Sequence, residues 1–475
     1  MEPKITHHGK PLRCSKNRIR RTQEKKIASL KHYDGDQVID GQTIRKHLQI
    51  SVRYLALPVT LIWMLLSTTS TVLAFDWPQF RGPDGQGHAP GRGLPLRWNQ
   101  KTNIVWKVPV PGKGWSSPVI QGQQIWLTTA VGKTLRVLCL DRETGRLQQN
   151  VVVFRKESLG RIHFENSHAT PTLVLERNRV YAHFGSHGTA CLSTNGKILW
   201  TTVLKYYHHH GPASSPIVVD DVLIVACDGF IVPFYDKNAR QRIDDFQFIA
   251  ALDKSTGQIR WKKKRTDGSH SYATPLAIDM NATTQVISPG ANRVTAYDPT
   301  NGEELWWCRF KGYSIVPRPV FGHGLVFVCT GYESPASLLA IRPNGRGDVT
   351  ETHVAWELKK QVPLCPSPLL VNDQLYLLNE KGFVSCVDAR TGKVHWKERV
   401  GRKYYASPLS ADDRIYFLST TGTTQVVSPG MMFQRLATNR LAGERKVFAS
   451  IAVSGRSFFI RTERNLYRIE ERNAD

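Results

Sequence analysis

The chain has 475 residues, of which 41% are hydrophobic and 22% charged, and its formal net charge is +25. These proportions are ordinary for a globular protein and exclude a chain that is disordered throughout. The positive charge permits contact with polyanions or an anionic membrane, but no nucleic-acid-binding motif is present, so no specific nucleic-acid partner is expected. A solvated basic surface is the simpler interpretation of the charge.

Residues 1–54 are rich in Lys and Arg and lack apolar periodicity, which predicts a disordered leader. The apolar run LALPVTLIWMLL and the closing VLA make residues 55–74 resemble a signal peptide that is cleaved near Ala74. The alternative is that 55–74 stays as a single membrane anchor with its basic flank in the cytoplasm. We therefore expect export to the periplasm or cell envelope, or inner-membrane anchoring with the body of the chain outside the cytoplasm.

A Trp/Gly/Pro-rich lead-in covers residues 75–102, and an eleven-residue unit then recurs along the chain. The unit is clearest in ALDKSTGQIRW (Ala251–Trp261), where it predicts a strand, a tight turn and a second strand. Asp253 can accept hydrogen bonds from the turn, Gly257 can supply a positive φ, and Trp261 can cover the next unit. Further copies lie at 296–306 and 386–396, with degraded copies at 139–149 and 191–200.

Each larger unit opens with a residue-proline pair and a short apolar run, and these openings recur every 40 to 59 residues. The pairs are Ser117-Pro118, Thr170-Pro171, Ser215-Pro216, Thr274-Pro275, Arg318-Pro319, Ser367-Pro368 and Ser407-Pro408. Such a period is typical of four-stranded propeller blades. In the sixth unit the predicted strands are 368–371, 374–379, 383–388 and 393–399.

We predict that residues 103–472 form one all-β propeller of eight four-stranded blades, with seven blades as the alternative. The eighth unit, near residues 448–469, supplies only three strands. The strand at 103–110 (NIVWKVPV) can provide the fourth and so close the ring. Three of the eight cysteines, Cys139, Cys191 and Cys386, begin copies of the repeat, where a buried small side chain is expected.

The loops that precede the innermost strands of a propeller meet at one mouth of its channel, so we align them on the prolines. The residues three before a proline include Trp115, His168, Tyr272 and Tyr405, and those five before include Lys113, His270 and Lys403. With His210 these side chains predict an amphipathic funnel for a flat ring, a sugar or an extended peptide. Arg318, the one charged residue directly before a blade proline, is a candidate inward-pointing anion anchor.

Imidazole and carboxylate groups also gather in the second to fourth units. His163, Glu165, His168 and Asp228 are candidates for a divalent metal site or for acid–base chemistry. The alternative interpretation is that they are polar loop residues around a wet channel.

The repeat resembles that of quinoprotein-type propellers, which are named after pyrroloquinoline quinone (PQQ). Residues 251–261 match AxDxxTGxxxW at every fixed position, and 386–396 match at all but the first. Residues 76–470 resemble PQQ-binding-like propeller proteins of the planctomycete kind, which implies a relation to the propeller of the outer-membrane-protein assembly lipoprotein. The lipid-bearing cysteine of that lipoprotein has no counterpart here.

The resemblance is specific for fold and less informative about chemistry. Quinoprotein dehydrogenases use an adjacent cysteine pair beside PQQ and a calcium site of Glu, Asn and Asp, and no motif here matches them. We therefore expect an exported, monomeric binding or scaffold module for a protein or small-molecule ligand at the channel mouth, with no assigned cofactor. The alternatives are a PQQ- and Ca²⁺-dependent oxidoreductase with a different site and, third, a polyanion-binding envelope protein.

Overall fold

The computed structural model describes residues 75–208, 210–229, 247–265, 269–280, 283–332 and 335–471. They belong to one compact unit, Val72–Asp475. The predicted leader and the segment 55–74 lie outside these ranges. Within the described ranges, no helix is both long enough and apolar enough to cross a bilayer.

The strands form eight antiparallel four-stranded blades arranged in a ring, which confirms the predicted eight-bladed propeller. Each blade is a meander in which consecutive strands pair through short turns. The strands of blades 1 to 3 are, in order, Val119–Gln121, Gln124–Val131, Thr134–Asp141 and Leu147–Arg155; Val174–Glu176, Arg179–His183, Thr189–Ser193 and Ile198–Thr202; and Ile217–Val219, Val222–Asp228, Gln247–Asp253 and Ile259–Lys264. A single 3₁₀ turn, Gly185–His187, interrupts blade 2 in the described residues.

Blades 4 to 6 repeat this plan, and blade 4 carries an additional fifth strand. Their strands are Leu276–Met280, Thr283–Gly290, Arg293–Tyr297, Glu304–Arg309 and the parallel Gly347–Asp348; Val320–Gly322, Leu325–Cys329, Leu338–Ile341 and Val354–Leu358; and Leu369–Val371, Gln374–Leu378, Phe383–Asp388 and Val394–Arg399. In the sixth blade the observed strands differ from the predicted ones by at most one residue at either end.

Blades 7 and 8 both use residues from the start of the described chain. Blade 7 contains Leu409–Ala411, Arg414–Leu418, Thr423–Val427 and Arg435–Arg440, and its innermost strand pairs in parallel with His88–Ala89. Blade 8 contains Ala452–Ser454, Ser457–Arg461 and Asn465–Ile469, and its outer strand is Ile104–Pro109. The pairing of Trp106 with Arg468 and of Val108 with Leu466 confirms the predicted ring closure.

The repeated tryptophan joins one blade to the next. The Trp200 ring of blade 2 lies against Gly257, the positive-φ residue of the blade 3 turn, and its Nε1 donates to the Lys254 carbonyl at 3.2 Å. Trp261 makes the same contact with Gly302 and donates to the Pro299 carbonyl at 2.8 Å. The motif is therefore an inter-blade docking device that combines ring burial with a hydrogen bond.

Hydrogen bonds hold the turn that receives each tryptophan. In blade 3, Asp253 Oδ1 accepts from the backbone N–H groups of Ser255 and Thr256 at 2.9 and 2.8 Å, and Arg260 Nε donates to Oδ2 at 2.9 Å. The hydrogen bond with Arg260 leads the contacts that lower the pKa of Asp253 to about 2. Cys139, Cys191 and Cys386, at the first position of their repeats, are free thiols that lie fully buried in the blades.

Candidate functional site

A belt of hydroxyl groups surrounds the channel where the innermost strands begin. Each hydroxyl accepts a hydrogen bond from the backbone N–H of the corresponding residue in the preceding blade, at 3.0 Å in every pair. The hydroxyls belong to Ser117, Thr172, Ser215, Thr274, Ser367, Ser407 and Ser450. The belt fixes the register of the blades around the channel, and Arg318 takes the remaining position.

The belt corrects the predicted register of blade 2. Thr172 is the residue that corresponds to Ser117, so the blade 2 proline, Pro171, lies two residues earlier than its counterparts. Alignment on the proline therefore indicates the wrong residue of this loop for the channel lining. Thr170 lines the channel there, and His168 instead packs beside His187, with ring centroids 5.4 Å apart.

The lead-in closes the base of the channel, where the innermost strands end. Trp77 exchanges two backbone hydrogen bonds with Ile120 of blade 1, at 2.8 and 2.9 Å, and the Gly87 carbonyl accepts from Ser410 of blade 7 at 2.8 Å. Between these contacts the Phe80 carbonyl accepts from Arg318 of blade 5, which lies opposite blade 1, so the segment crosses the base of the ring. Phe80 lies between these two contacts and forms part of the channel lining.

Arg318 holds this crossing segment and does not line the cavity above it. Its Nη1 donates to the Phe80 carbonyl at 2.8 Å and its Nε donates to the Pro275 carbonyl at 3.0 Å. The side chain is buried, and burial lowers the pKa of Arg318 to about 10. The structure gives Arg318 an anchoring role at the base in place of the expected anion-anchor role at the mouth.

Above Phe80 the channel widens into a cavity of about 610 Å³, which we call the funnel. One wall is a row of three aromatic rings from adjacent blades, Tyr405, Phe448 and Trp115, with successive centroids 4.9 Å apart. Tyr272, Val316 and Cys365 line other parts of the wall. The volume and the largely apolar lining are those of a small-molecule site.

Cationic side chains lie above the aromatic row. Lys403 Nζ is 5.1 Å from the ring centroid of Tyr405, and Lys113 Nζ is 5.6 Å from that of Trp115. Burial and the nearby charge of Lys446 lower the pKa of Lys113. Three neighbouring blades thus place ammonium groups at one side of the funnel.

Glu165 crosses the mouth toward this cationic side. It belongs to the loop before blade 2, while Lys403 and Tyr405 belong to the loop before blade 7. Lys403 Nζ donates to Oε1 at 2.6 Å and Tyr405 Oη donates to Oε2 at 2.8 Å. Burial acts to raise the pKa of Glu165, but these two hydrogen bonds together with the charge of Lys403 outweigh burial, and the net shift is downward.

The histidines of the loops and turns in blades 2 to 4 separate into two groups. His163, His210 and His270 line the funnel, with centroids of successive rings 5.5 and 5.4 Å apart, and Tyr272 Oη lies 2.9 Å from His210 Nδ1. This group supplies a polar wall opposite the lysines.

The second group lies outside the funnel lining. His168, His187 and His208 stack edge to face, with successive centroids 5.4 and 5.8 Å apart. Burial lowers the pKa of His187 to about 4 and that of His208 to about 3. These imidazoles are therefore neutral at pH 7.

The four candidate metal ligands, His163, Glu165, His168 and Asp228, do not converge on one point. Asp228 lies in a separate buried pocket, where Arg265 Nη1 donates to it at 2.6 Å. Glu165 is held by Lys403, and His168 packs in the buried histidine group. Within the described ranges, no group of three or more His, Cys, Asp or Glu side chains could hold a metal ion.

Phe448 and Phe80 are among the funnel residues that sequence reasoning missed. Phe448 stands two residues before Ser450, just as Trp115 stands two before Ser117, but no proline follows Ser450 to mark the position. Alignment on the serine would have found it. Phe80 reaches the channel from the lead-in, and no pattern in the sequence indicates that crossing.

The family model described as outer membrane protein assembly factor BamB matches residues 96–242, 214–361 and 348–431. No curated protein sequence matches the chain. Among solved structures, BamB from Moraxella catarrhalis superposes with a TM-score of 0.55 at 14% identity, covering 78% of this chain and 98% of that one.

Two other solved structures show similar agreement. A europium-containing methanol dehydrogenase gives a TM-score of 0.56 at 11% identity and covers 81% of this chain and 89% of its own. The computationally designed protein Ika8 gives 0.53 at 12% identity, with coverages of 77% and 100%. At these identities the likeness concerns the fold alone.

Proposed function

The chain belongs to the family described as outer membrane protein assembly factor BamB, and from this premise we propose that it is a binding module of the cell envelope. The funnel is the proposed binding site, and a ligand or a segment of a partner protein is its occupant. The observation that carries the proposal is the cavity of about 610 Å³, closed at its base by Phe80 and walled by Tyr405, Phe448 and Trp115.

The funnel combines features that favour binding of an amphipathic group. Trp115 is 5% exposed and therefore presents a preorganised wall. Burial of one flat apolar face against such a wall contributes about 25 cal/mol per Å² of apolar surface removed from water. Polar side chains at the opening can orient a ligand. They are Lys403, Glu165 and the funnel-lining histidines His163, His210 and His270.

A quinone–calcium centre, which the quinoprotein resemblance raises as an alternative, does not fit the described residues. Such a centre needs several oxygen ligands around the metal ion. Glu165 is the acid among the described lining residues, and its two oxygens are held by Lys403 and Tyr405. We therefore derive no reaction step for this site.

Titration of the full-length protein with the neutral fluorescent probe N-phenyl-1-naphthylamine tests the proposal. We expect saturable binding at one site. Phe448→Ala removes the central ring of the aromatic row, and the loss of about 1–2 kcal/mol of contact should weaken binding roughly five- to thirtyfold.

Phe433→Ala is the matched control, because Phe433 packs on the outer-strand residue Trp396, with ring centroids 5.2 Å apart, and does not line the funnel. It should leave the affinity unchanged. The absence of saturable binding, or an equal loss of affinity in both variants, would contradict the proposed site.

A further inference from the structure

Glu165 contributes a carboxylate from one side of the mouth to a receptor on the other. Its loop enters blade 2, whereas Lys403 and Tyr405 enter blade 7, so blades 8 and 1 lie between them. One carboxylate oxygen accepts from Lys403 Nζ at 2.6 Å and the other from Tyr405 Oη at 2.8 Å. The Glu165 side chain therefore shows that this position of the funnel can hold a carboxylate group.

The receptor is complementary to a carboxylate in both charge and shape. The two donors address the two oxygens separately, which suits a planar group with two equivalent acceptors. Lys403 stands four residues before the belt serine of blade 7. Lys446 and Lys113 stand at the same position in blades 8 and 1. Lys446 Nζ lies 3.3 Å from Glu463 Oε1, so the two lysines together add less than two positive charges to the potential for an anion along this side of the mouth.

The position next to the carboxylate suits a flat apolar body. Tyr405, which donates to Glu165, is also the first ring of the aromatic row that continues through Phe448 to Trp115. A ligand whose acid group binds at Lys403 would therefore lie along this row. Offset or edge-to-face contacts with these rings would stabilise it beyond simple burial.

We propose that the funnel binds compact ligands that carry a carboxylate beside a flat apolar body, with Glu165 occupying the acid position until such a ligand replaces it. This inference rests on the proposed function and names the ligand class of the same site. As an intramolecular competitor, Glu165 lowers the apparent affinity for the ligand, because it is present at high effective concentration. The ligand is either a free aromatic acid or the carboxyl terminus of a polypeptide that ends in an aromatic residue.

Titration of the full-length protein with 2-naphthoate and with the uncharged 2-naphthamide tests the inference. The wild type should prefer the acid, and Glu165→Gln, which removes the competing charge, should bind 2-naphthoate roughly tenfold more tightly than the wild type. Affinity for 2-naphthamide should change by less than about twofold, because the uncharged amide forms no ion pair with Lys403 and so does not displace the Glu165 carboxylate.

A second set of variants removes the two hydrogen-bond donors, Lys403 Nζ and Tyr405 Oη. Lys403→Met with Tyr405→Phe, combined with Glu165→Gln, keeps the apolar wall and should abolish the preference for the acid. Lys359→Met removes one positive charge from an exposed lysine that contacts Glu357 on an outer strand, and it should leave the preference intact. Circular dichroism establishes that each variant is folded.

The peptide acetyl-Ala-Ala-Trp, as free acid and as carboxamide, distinguishes the two ligand sources. Tighter binding of the peptide acid than of 2-naphthoate to Glu165→Gln assigns the site to a polypeptide terminus, and the reverse order assigns it to a free aromatic acid. Equal binding of each acid and its amide, or no binding of either acid at millimolar concentration, overturns the inference. Retained binding of N-phenyl-1-naphthylamine in that event leaves the proposed function standing.

Discussion

At the scale of single residues, Arg318 shows how one substitution in a repeated position changes the use of a channel. Seven blades place a small hydroxyl residue at the belt, and each hydroxyl accepts a hydrogen bond from its neighbour. Blade 5 has Arg318 at this position instead, and its guanidinium reaches the base of the channel and donates to the Phe80 carbonyl. The longer side chain thus holds the segment that closes the channel.

Arg318→Met should destabilise the protein, because it leaves the buried Pro275 carbonyl and the partly buried Phe80 carbonyl without their donor. We expect the free energy of unfolding, measured by denaturant titration, to fall by about 1–3 kcal/mol. Arg456→Met is the control, since Arg456 is an exposed arginine whose Nε is 3.5 Å from the Gly93 carbonyl in the same lead-in. Its effect should stay within about 0.5 kcal/mol; equal losses would show that Arg318 is not the anchor.

Part of the site could be predicted at this scale, and the reasons for the misses are physical. Trp115, Tyr272, Tyr405, His210 and His270 line the funnel as their loop positions predict. His168 does not, because a proline need not keep its place when the hydrogen-bonded hydroxyl sets the register. The contact of Glu165 with Lys403 joins residues 238 apart in sequence, and no local pattern encodes it.

At the scale of elements, the repeat unit works as a joint between blades. The tryptophan covers the glycine of the next turn and donates to a carbonyl of that turn, as Trp356 does with Gly392 and Ala389. Trp306 departs from this pattern. It donates to Gln285 Oε1 at 2.8 Å, and Gln285 Nε2 in turn donates to the Pro343 carbonyl at 3.2 Å, so the joint between blades 4 and 5 passes through a side chain.

Gly257→Ala tests the joint directly. Gly257 has φ +75°, and an added Cβ would lie 2.5 Å from the Trp200 ring, so the alanine must strain the backbone and displace the tryptophan. Gly324→Ala is the matched control, because Gly324 has φ +70° and nothing within 4 Å of the added atom.

The control should cost about 1–2 kcal/mol through the backbone alone. Gly257→Ala should cost about 1–3 kcal/mol more in thermal or denaturant unfolding, because the crowded ring contact adds to the backbone strain. Equal destabilisation of the two variants would show that the packing of Trp200 on Gly257 adds nothing.

At the scale of the whole molecule, the ring is closed by pairing residues near the start of the described chain with the last blade. Ile104–Pro109 completes blade 8, and the lead-in before it crosses the base of the same ring. Closure removes an exposed sheet edge that would otherwise invite pairing with another chain. Two consecutive segments at the start of the described chain therefore close first the channel and then the ring.

The fold could be predicted from the sequence almost completely, because repetition reports the same local chemistry many times. The period of the residue-proline pairs, the turn glycines and the outer tryptophans all indicate one architecture. The strands Gly347–Asp348 and His88–Ala89 could not be predicted, since each is two residues long and pairs in parallel with a distant strand. Their positions depend on tertiary contacts alone.

The central claim is that the funnel is a binding site whose acid position is filled by Glu165 in the free protein. The most direct measurement is a crystal structure of the Glu165→Gln variant with 2-naphthoate. The account predicts the carboxylate within hydrogen-bond distance of Lys403 Nζ and Tyr405 Oη, with the naphthalene ring on Phe448. A ligand bound outside the funnel, or one whose carboxylate points away from Lys403, would contradict it.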